Sequence, residues 1–279
     1  MEKILLVTDP SHLHANVLEF ACYVSKLTRS KLIGLFLEHE IHHVHPVMQS
    51  RLEVWQSDSV LAMPPPDNKI PPEAWEQNIR QFRQFCENRG VNCTLHVDRG
   101  TPLAEVMIES RFADMLIVDP EMTFEDVSDG FPSAFIKEVL AKSECPVIIA
   151  PQSFDGIDEI VFAYDGSSSS VFAIKQFTYL FPQFTDKKIT IFEADESHTP
   201  EITEKDKIHE LIRMHYSTIA FQVMRGKASD ELFGYLLNRK NAFVVLGAFG
   251  RNMLSGFFRR SVADLVIKTI NLPVFIAHH

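Results

Sequence analysis

The chain repeats itself. Residues 4–11, ILLVTDPS, align with residues 160–167, IVFAYDGS, and without a gap Ile33, Leu35 and Phe36 then fall on Ile189, Ile191 and Phe192. Further on, RGTPLAEV at 99–106 matches RGKASDEL at 225–232, and ADMLIVDP at 113–120 matches NAFVVLGA at 241–248. Near the two ends, ECPVIIAP at 144–151 matches NLPVFIAH at 271–278, with Pro146 opposite Pro273. Self-similarity on this scale predicts two copies of one folding unit, and 279 residues suffice for two domains of ordinary size. The predicted domains are 1–152 and 153–279, joined near PQSFDGIDE at 151–159. The first copy is the longer. Its excess lies mainly in 38–72, where a proline cluster predicts an extended surface loop.

Each copy has the same rhythm. Short β-branched runs, ILLV, LIGLFL, CTLHV, MLIV and PVIIA in the first, alternate with segments of helical period. Trp75, Ile79, Phe82 and Cys86 fall on one helical stripe, with Gly90 placed to cap its end. Ile208, Leu211, Ile212 and His215 repeat the device in the second copy. Alternating strands and helices imply parallel strands, right-handed crossovers and helices on both faces. The expected fold is therefore α/β, two tandem doubly wound domains with mainly parallel five-stranded sheets.

Composition removes several function classes. The chain has 37 acidic against 27 basic residues, a formal charge of −10, which opposes non-specific nucleic-acid binding. Hydrophobic residues make up 46%, so each half can bury a core, yet no apolar run approaches a membrane span. The opening MEKILLVTDP begins as a strand and shows no signal peptide. The four cysteines, Cys22, Cys86, Cys93 and Cys145, have no CxxC spacing and are expected to be reduced structural thiols of a cytoplasmic protein.

In an open parallel sheet, ligands bind beyond the carboxyl ends of the strands. After the first strand of the second copy stand Asp165, Gly166 and Ser167, and a carboxylate there can accept from a ribose hydroxyl or an adenine amino group. The same three residues also suit an Asx turn or helix N-cap. After the fourth strand comes GAFGRNMLSGFFRRS at 247–261. Gly247 and Gly250 permit close backbone approach to phosphate oxygens, and Ser261 opens the next helix, whose free N–H groups attract anions. Arg251, Arg259 and Arg260 add positive charge. The pattern is neither Walker A nor GxGxxG, and Ser261 with Asp264 equally resembles a capping box.

These residues resemble the nucleotide-binding motif of the universal stress proteins, and the whole chain resembles a tandem member of that family. The family motif is GxxG, nine residues, then Gly-Ser/Thr, with an Asp closing the first strand. Gly247 and Gly250 match, Ser261 matches after the span 251–259, and Arg260 stands where the family has glycine. The resemblance implies that Asp165 meets the adenine or ribose and that Ala194 lines the base pocket. It further implies that the Gly247–Gly250 loop and Ser261 take the phosphates, with Arg251 a further candidate for its nearby charge. Arg260 either fills the phosphate space or contacts phosphate as a planar cation. The implied cofactor is ATP or a related adenine nucleotide with magnesium, held as a regulatory ligand with slow hydrolysis at most. The implied partnerships are pairing of the two domains through their last strands, a homodimer and an unidentified protein. The alternative is a nucleotide-free interaction scaffold of the same fold.

The first copy departs from the motif. Asp9 is retained, but Pro10 replaces glycine, and VDPEMTFEDVSDGFPS carries Asp119, Glu121, Glu125, Asp126 and Asp129 without Lys or Arg. Clustered carboxylates repel a triphosphate, so this copy is not expected to bind one. Glu38, His39, Glu40, His42, His43 and His45 contain zinc-binding residue types but no HExxH, and a solvated loop is the plainer reading. His12 and His14 lie near Ser11 with no evident orienting carboxylate, and no residue is assigned a catalytic role. Ser167, Ser168, Ser169 and Ser170 suit a helix start as well as phosphorylation.

Overall fold

The computed structural model describes residues 1–9, 13–39, 72–124, 132–247 and 270–277. In the first half β1 (Lys3–Thr8), α1 (Ala15–Thr28), β2 (Lys31–His39), α2 (Pro72–Asn88) and β3 (Cys93–Gly100) follow one another. Next come α3 (Pro102–Ser110), β4 (Met115–Val118), α4 (Ala134–Lys142) and β5 (Val147–Ile149). The second half opens with β6 (Glu159–Ala163), α5 (Ser168–Leu180), a 3-10 turn at Pro182–Phe184 and β7 (Lys188–Asp195). It continues with α6 (Lys205–Arg213), β8 (Thr218–Arg225), α7 (Ala228–Leu236), β9 (Ala242–Gly247) and β10 (Val274–Ala277).

All ten strands form one sheet, in the order β3-β2-β1-β4-β5-β10-β9-β6-β7-β8. Pairing within each half is parallel, and the halves meet where β10 runs antiparallel to β5, Phe275 opposite Ile148. The fold is a mainly parallel α/β arrangement of two five-strand halves, as the alternation of runs predicts.

Two cores flank the sheet. One lies under α1, α2, α5 and α6 and holds Phe20, Phe82, Phe162, Phe177, Phe243 and Phe275. The other lies under α3, α4 and α7 and includes Val106, Ile136, Val139, Leu232 and Leu236. Strands buried on both faces explain why the runs are continuously apolar instead of alternating. In α2 the predicted stripe is present: Phe82 and Cys86 are fully buried and Ile79 packs beside them. Gly90, at φ +63°, follows the helix in the left-handed conformation. In α6, Ile208 and Ile212 are buried as expected, but the helix ends at Arg213, so His215 is off the stripe and packs on Tyr179.

The repeat is visible in three dimensions, with one correction. Ile4 and Ile160 face the same core, as do Met115 and Phe243, and Ile148 and Phe275. Val106 and Leu232 share the opposite one. Gly100 and Gly226 both have positive φ, at 158° and 149°, and in each case the glutamate five residues on (Glu105, Glu231) lies where a Cβ would go. The second strands do not obey the gapless alignment. Ile33 and Leu35 face the α3–α4 core, whereas Ile189 and Ile191 face the α5–α6 core. The true register pairs Leu32 with Ile189, one residue along, because the connection carrying the 3-10 turn differs from the short turn after α1. A slip of one residue reverses every side chain in a strand.

Candidate functional site

The carboxyl ends of β6, β7 and β9 border one crevice, with the start of α5 in its wall. Asp165 follows β6 and is exposed; its Oδ1 accepts from the Ser167 backbone N–H at 3.0 Å. This is an Asx turn, which leaves Oδ2 outside that bond. Ser167 is the N-cap of α5: its Oγ accepts from Ser170 N–H at 3.1 Å. Both the turn and the cap anticipated from the sequence are therefore present, and they aim the Asp165 carboxylate without excluding a ligand role.

Gly247 closes β9 beneath this helix start. A Cβ there would stand 2.6 Å from Ser169 carbonyl carbon and oxygen and 2.7 Å from Ser170 N. Only glycine allows the strand end and the first turn of α5 to come this near. The structure thus brings Asp165 and Gly247 to one helix N-terminus, where the helix dipole favours negative charge.

Ala194 is in β7 opposite Met224 of β8 and is partly buried against the α7 core. Its neighbour Glu193 points to the other face and is nearly buried, at 5% exposure. The Glu193 carboxylate accepts from Thr203 N–H at 2.8 Å and from Thr203 Oγ1 at 2.6 Å. Burial pushes the Glu193 carboxyl above its usual range against these two bonds, and the charges of Asp165 and Asp195 push the same way. Thr203 also crosses close to Gly166, which has φ +74°; a Cβ on Gly166 would stand 2.5 Å from Thr203 Cγ2. The link from β7 to α6 is thereby clamped over the turn that carries Asp165. Nothing in the sequence pointed to Glu193, because local patterning does not show that the β7–α6 link folds back ten residues on to place Thr203 on it.

Gly250, Arg251, Arg260 and Ser261 lie outside the described residues, as does the capping-box pattern at 261–264. Also outside are the proline-rich loop with the histidine-rich stretch 40–45, residues 10–12 and 125–131, and the final two histidines. The described residues here include the carboxylates Asp165, Glu193 and Asp195, which oppose an anionic ligand. Among the described residues no group of three or more His, Cys, Asp or Glu is arranged for a metal ion, and no helix is long and apolar enough to cross a membrane.

The corresponding place in the first half is built differently. Asp119 stands where the repeat puts Gly247. Its carboxylate contacts His14, the N-cap residue of α1, and accepts from Glu121 N–H at 2.9 Å. Sequence inspection found no carboxylate for His14; the partner is Asp119, brought in by the sheet. At the start of α4, Ser133 Oγ accepts from Ile136 N–H at 3.2 Å and donates to Met122 O, while Ser133 N–H donates to Pro120 O at 3.2 Å. Both helix ends of this crevice therefore engage side chains and backbone of the β4–α4 connection.

Comparison with solved structures places this arrangement among known folds. A universal stress protein from Archaeoglobus fulgidus DSM 4304 superposes with a TM-score of 0.64 at 15% identity, covering 99% of this chain and 96% of that one. A candidate universal stress protein from Pseudomonas aeruginosa UCBPP-PA14 gives 0.55 at 15% identity, over 99% and 93%. A protein of unknown function from Pseudomonas aeruginosa PAO1 gives 0.57 at 12% identity, over 99% and 92%. No protein-family model matches the chain, and no curated protein matches it. At these identities the likeness is one of fold.

Proposed function

We propose that the chain is a cytoplasmic stress-response protein of two domains, 1–152 and 153–279, whose second domain binds an adenine nucleotide of the ATP type, with magnesium, as a regulatory ligand. The observation that carries this reading is the approach of Gly247 to the first turn of α5, with Asp165 bonded to Ser167 at the same helix end. Asp165 is free to accept from the ribose or base through Oδ2, and Ala194 offers a small apolar contact at the end of β7. Gly250, Arg251, Arg260 and Ser261 supply the phosphate contacts. The role assigned is binding: the Glu193 carboxylate, held on the Thr203 hydroxyl, serves to clamp the β7–α6 link. The first domain binds no nucleotide in this reading, since Asp119 and its bonds to His14 and Glu121 fill the place of Gly247.

A second reading, a nucleotide-free interaction scaffold, draws support from the Thr203–Glu193 clamp over Gly166 and from the local excess of carboxylates. Calorimetric titration with ATP and magnesium separates the two. One saturable site that Asp165→Ala abolishes and Asp119→Ala leaves intact supports nucleotide binding by the second domain. Absence of heat at millimolar ATP in a folded sample sinks it and favours the scaffold.

A further inference from the structure

Three of the four cysteines meet on one side of the sheet. Cys22 lies on α1, Cys86 on α2, and Cys93 opens β3. The Sγ atoms of Cys22 and Cys86 are 3.9 Å apart, and Cys93 packs against the same core. All are free thiols. A disulfide requires about 2.05 Å between sulfurs, so the bond needs the two thiols to approach by roughly 2 Å.

A surface cavity of about 370 Å³ reaches this pair from the outside, lined by Glu19, Cys22, Tyr23, Lys26, Leu27 and Arg89. Cys22 is the member of the pair in its wall, only 1% exposed, and Cys86 lies behind it with no exposure. Arg89 pairs with Glu19 and stacks on Phe85 at the rim, so a cation is fixed beside the opening. A cavity of this size admits a small hydroperoxide.

We propose that Cys22 and Cys86 form a hydroperoxide-sensitive dithiol, a modification site in the first half in which Cys22 is attacked first and Cys86 closes the disulfide. In the first step the Cys22 thiolate attacks one peroxide oxygen. With hydrogen peroxide the O–O bond breaks, a sulfenic acid forms, and the departing hydroxide takes up the proton that the Cys22 thiol released and leaves as water. In the second step the Cys86 sulfur attacks the Cys22 sulfur, the S–O bond breaks, and hydroxide leaves with the Cys86 proton as a second water. Two thiols lose two electrons, and the peroxide gains them.

The division of roles follows from surroundings. The hydrogen bond with Cys86 holds the Cys22 thiol below its ordinary value despite burial, with the charges of Arg89 and Lys26 assisting. The same bond and burial raise Cys86, which keeps its proton for delivery. Thiolate character selects the attacking sulfur. Cys145, on the opposite face, is pushed up to about 12 by burial and serves as an internal control.

The test is hydrogen peroxide titration of the folded full-length chain. Thiols are then blocked under denaturing conditions, and mass analysis maps them. The expected result is loss of two thiols and two hydrogens with a Cys22–Cys86 cross-linked peptide, while Cys145 stays alkylatable. Cys86→Ser, which keeps a hydrogen-bond donor beside Cys22, should halt at a Cys22 sulfenic acid that dimedone traps. The wild-type map decides even if that variant fails to fold. Retention of all four thiols in folded protein at millimolar peroxide overturns the proposal. So does a Cys86–Cys93 cross-link, or oxidation that appears only when the chain is unfolded.

Discussion

Gly247 and Ser169 are separated by less than the width of a methyl group: a Cβ on the glycine would stand 2.6 Å from the serine carbonyl carbon. The obstructing atoms are helix backbone, which cannot rotate away. Gly247→Ala should therefore force β9 and α5 apart and destabilise the chain by about 1–3 kcal/mol, the usual range for overpacking. Urea denaturation measures this directly. An unchanged midpoint would show that the two elements are not in contact in solution.

At the other end of the β6–β7 pair, Glu159 gathers Thr190 Oγ1 at 2.5 Å, Lys188 Nζ at 2.9 Å and Arg239 at 3.1 Å. Burial raises its carboxyl, but these donors and charges outweigh burial and hold it below the usual carboxylate range. A depressed native pKa gives stability that is present above the ordinary glutamate range and is lost as pH falls through the native value. Glu159→Gln should lower stability by about 2 kcal/mol at neutral pH and converge with wild type in acid. Parallel curves of stability against pH would refute this assignment.

Glu193 should behave in the opposite sense. Its carboxyl is raised by burial first and by Asp165 and Asp195 next. The native state then holds the proton to higher pH than the unfolded chain, so its contribution is full below the ordinary glutamate range and is lost as pH rises through the native value. Glu193→Gln removes this ionisation and keeps both an acceptor and a donor for Thr203. The stability of wild type relative to the variant should decline between mildly acidic and neutral pH. A difference that does not vary with pH would mean that Glu193 ionises normally.

Phe275 of β10 is fully buried, edge-on to Phe177 at 5.3 Å between centroids and opposite Ile148 of β5. It belongs to both the phenylalanine cluster of the second half and the seam between halves. Phe275→Ala should cost about 3–5 kcal/mol through lost contacts and a cavity. Tryptophan fluorescence during urea unfolding reports the first half, where Trp75 lies, and an earlier fluorescence midpoint would show that the loss crosses the seam.

Most of the strand pairs were readable in register from the repeat, because ILLV, MLIV and PVIIA keep the same order of faces as their counterparts. The second pair was not. LIGLFL and ITIFEA are both apolar nearly throughout, and a strand buried on two sides carries no alternation to betray a slip. The stripe of α2 was legible because Phe82 and Cys86 recur at helical spacing between charged residues. The site was legible only where local rules suffice: Asp165 and Ser167 announce a turn and cap, and Gly247 a tight place. The Asp119–His14 contact and the Cys22–Cys86 pair join residues far apart in the chain, and the Glu193–Thr203 clamp depends on how the β7–α6 link folds back, none of which local patterning shows.

The antiparallel seam of β5 and β10 gives the chain an approximate twofold axis within a single polypeptide. In an assembly of identical subunits, any exchange of one residue appears on both sides of such an axis at once. Here Asp119 and Gly247 occupy matching places and differ freely, so one crevice can specialise while its counterpart keeps another duty.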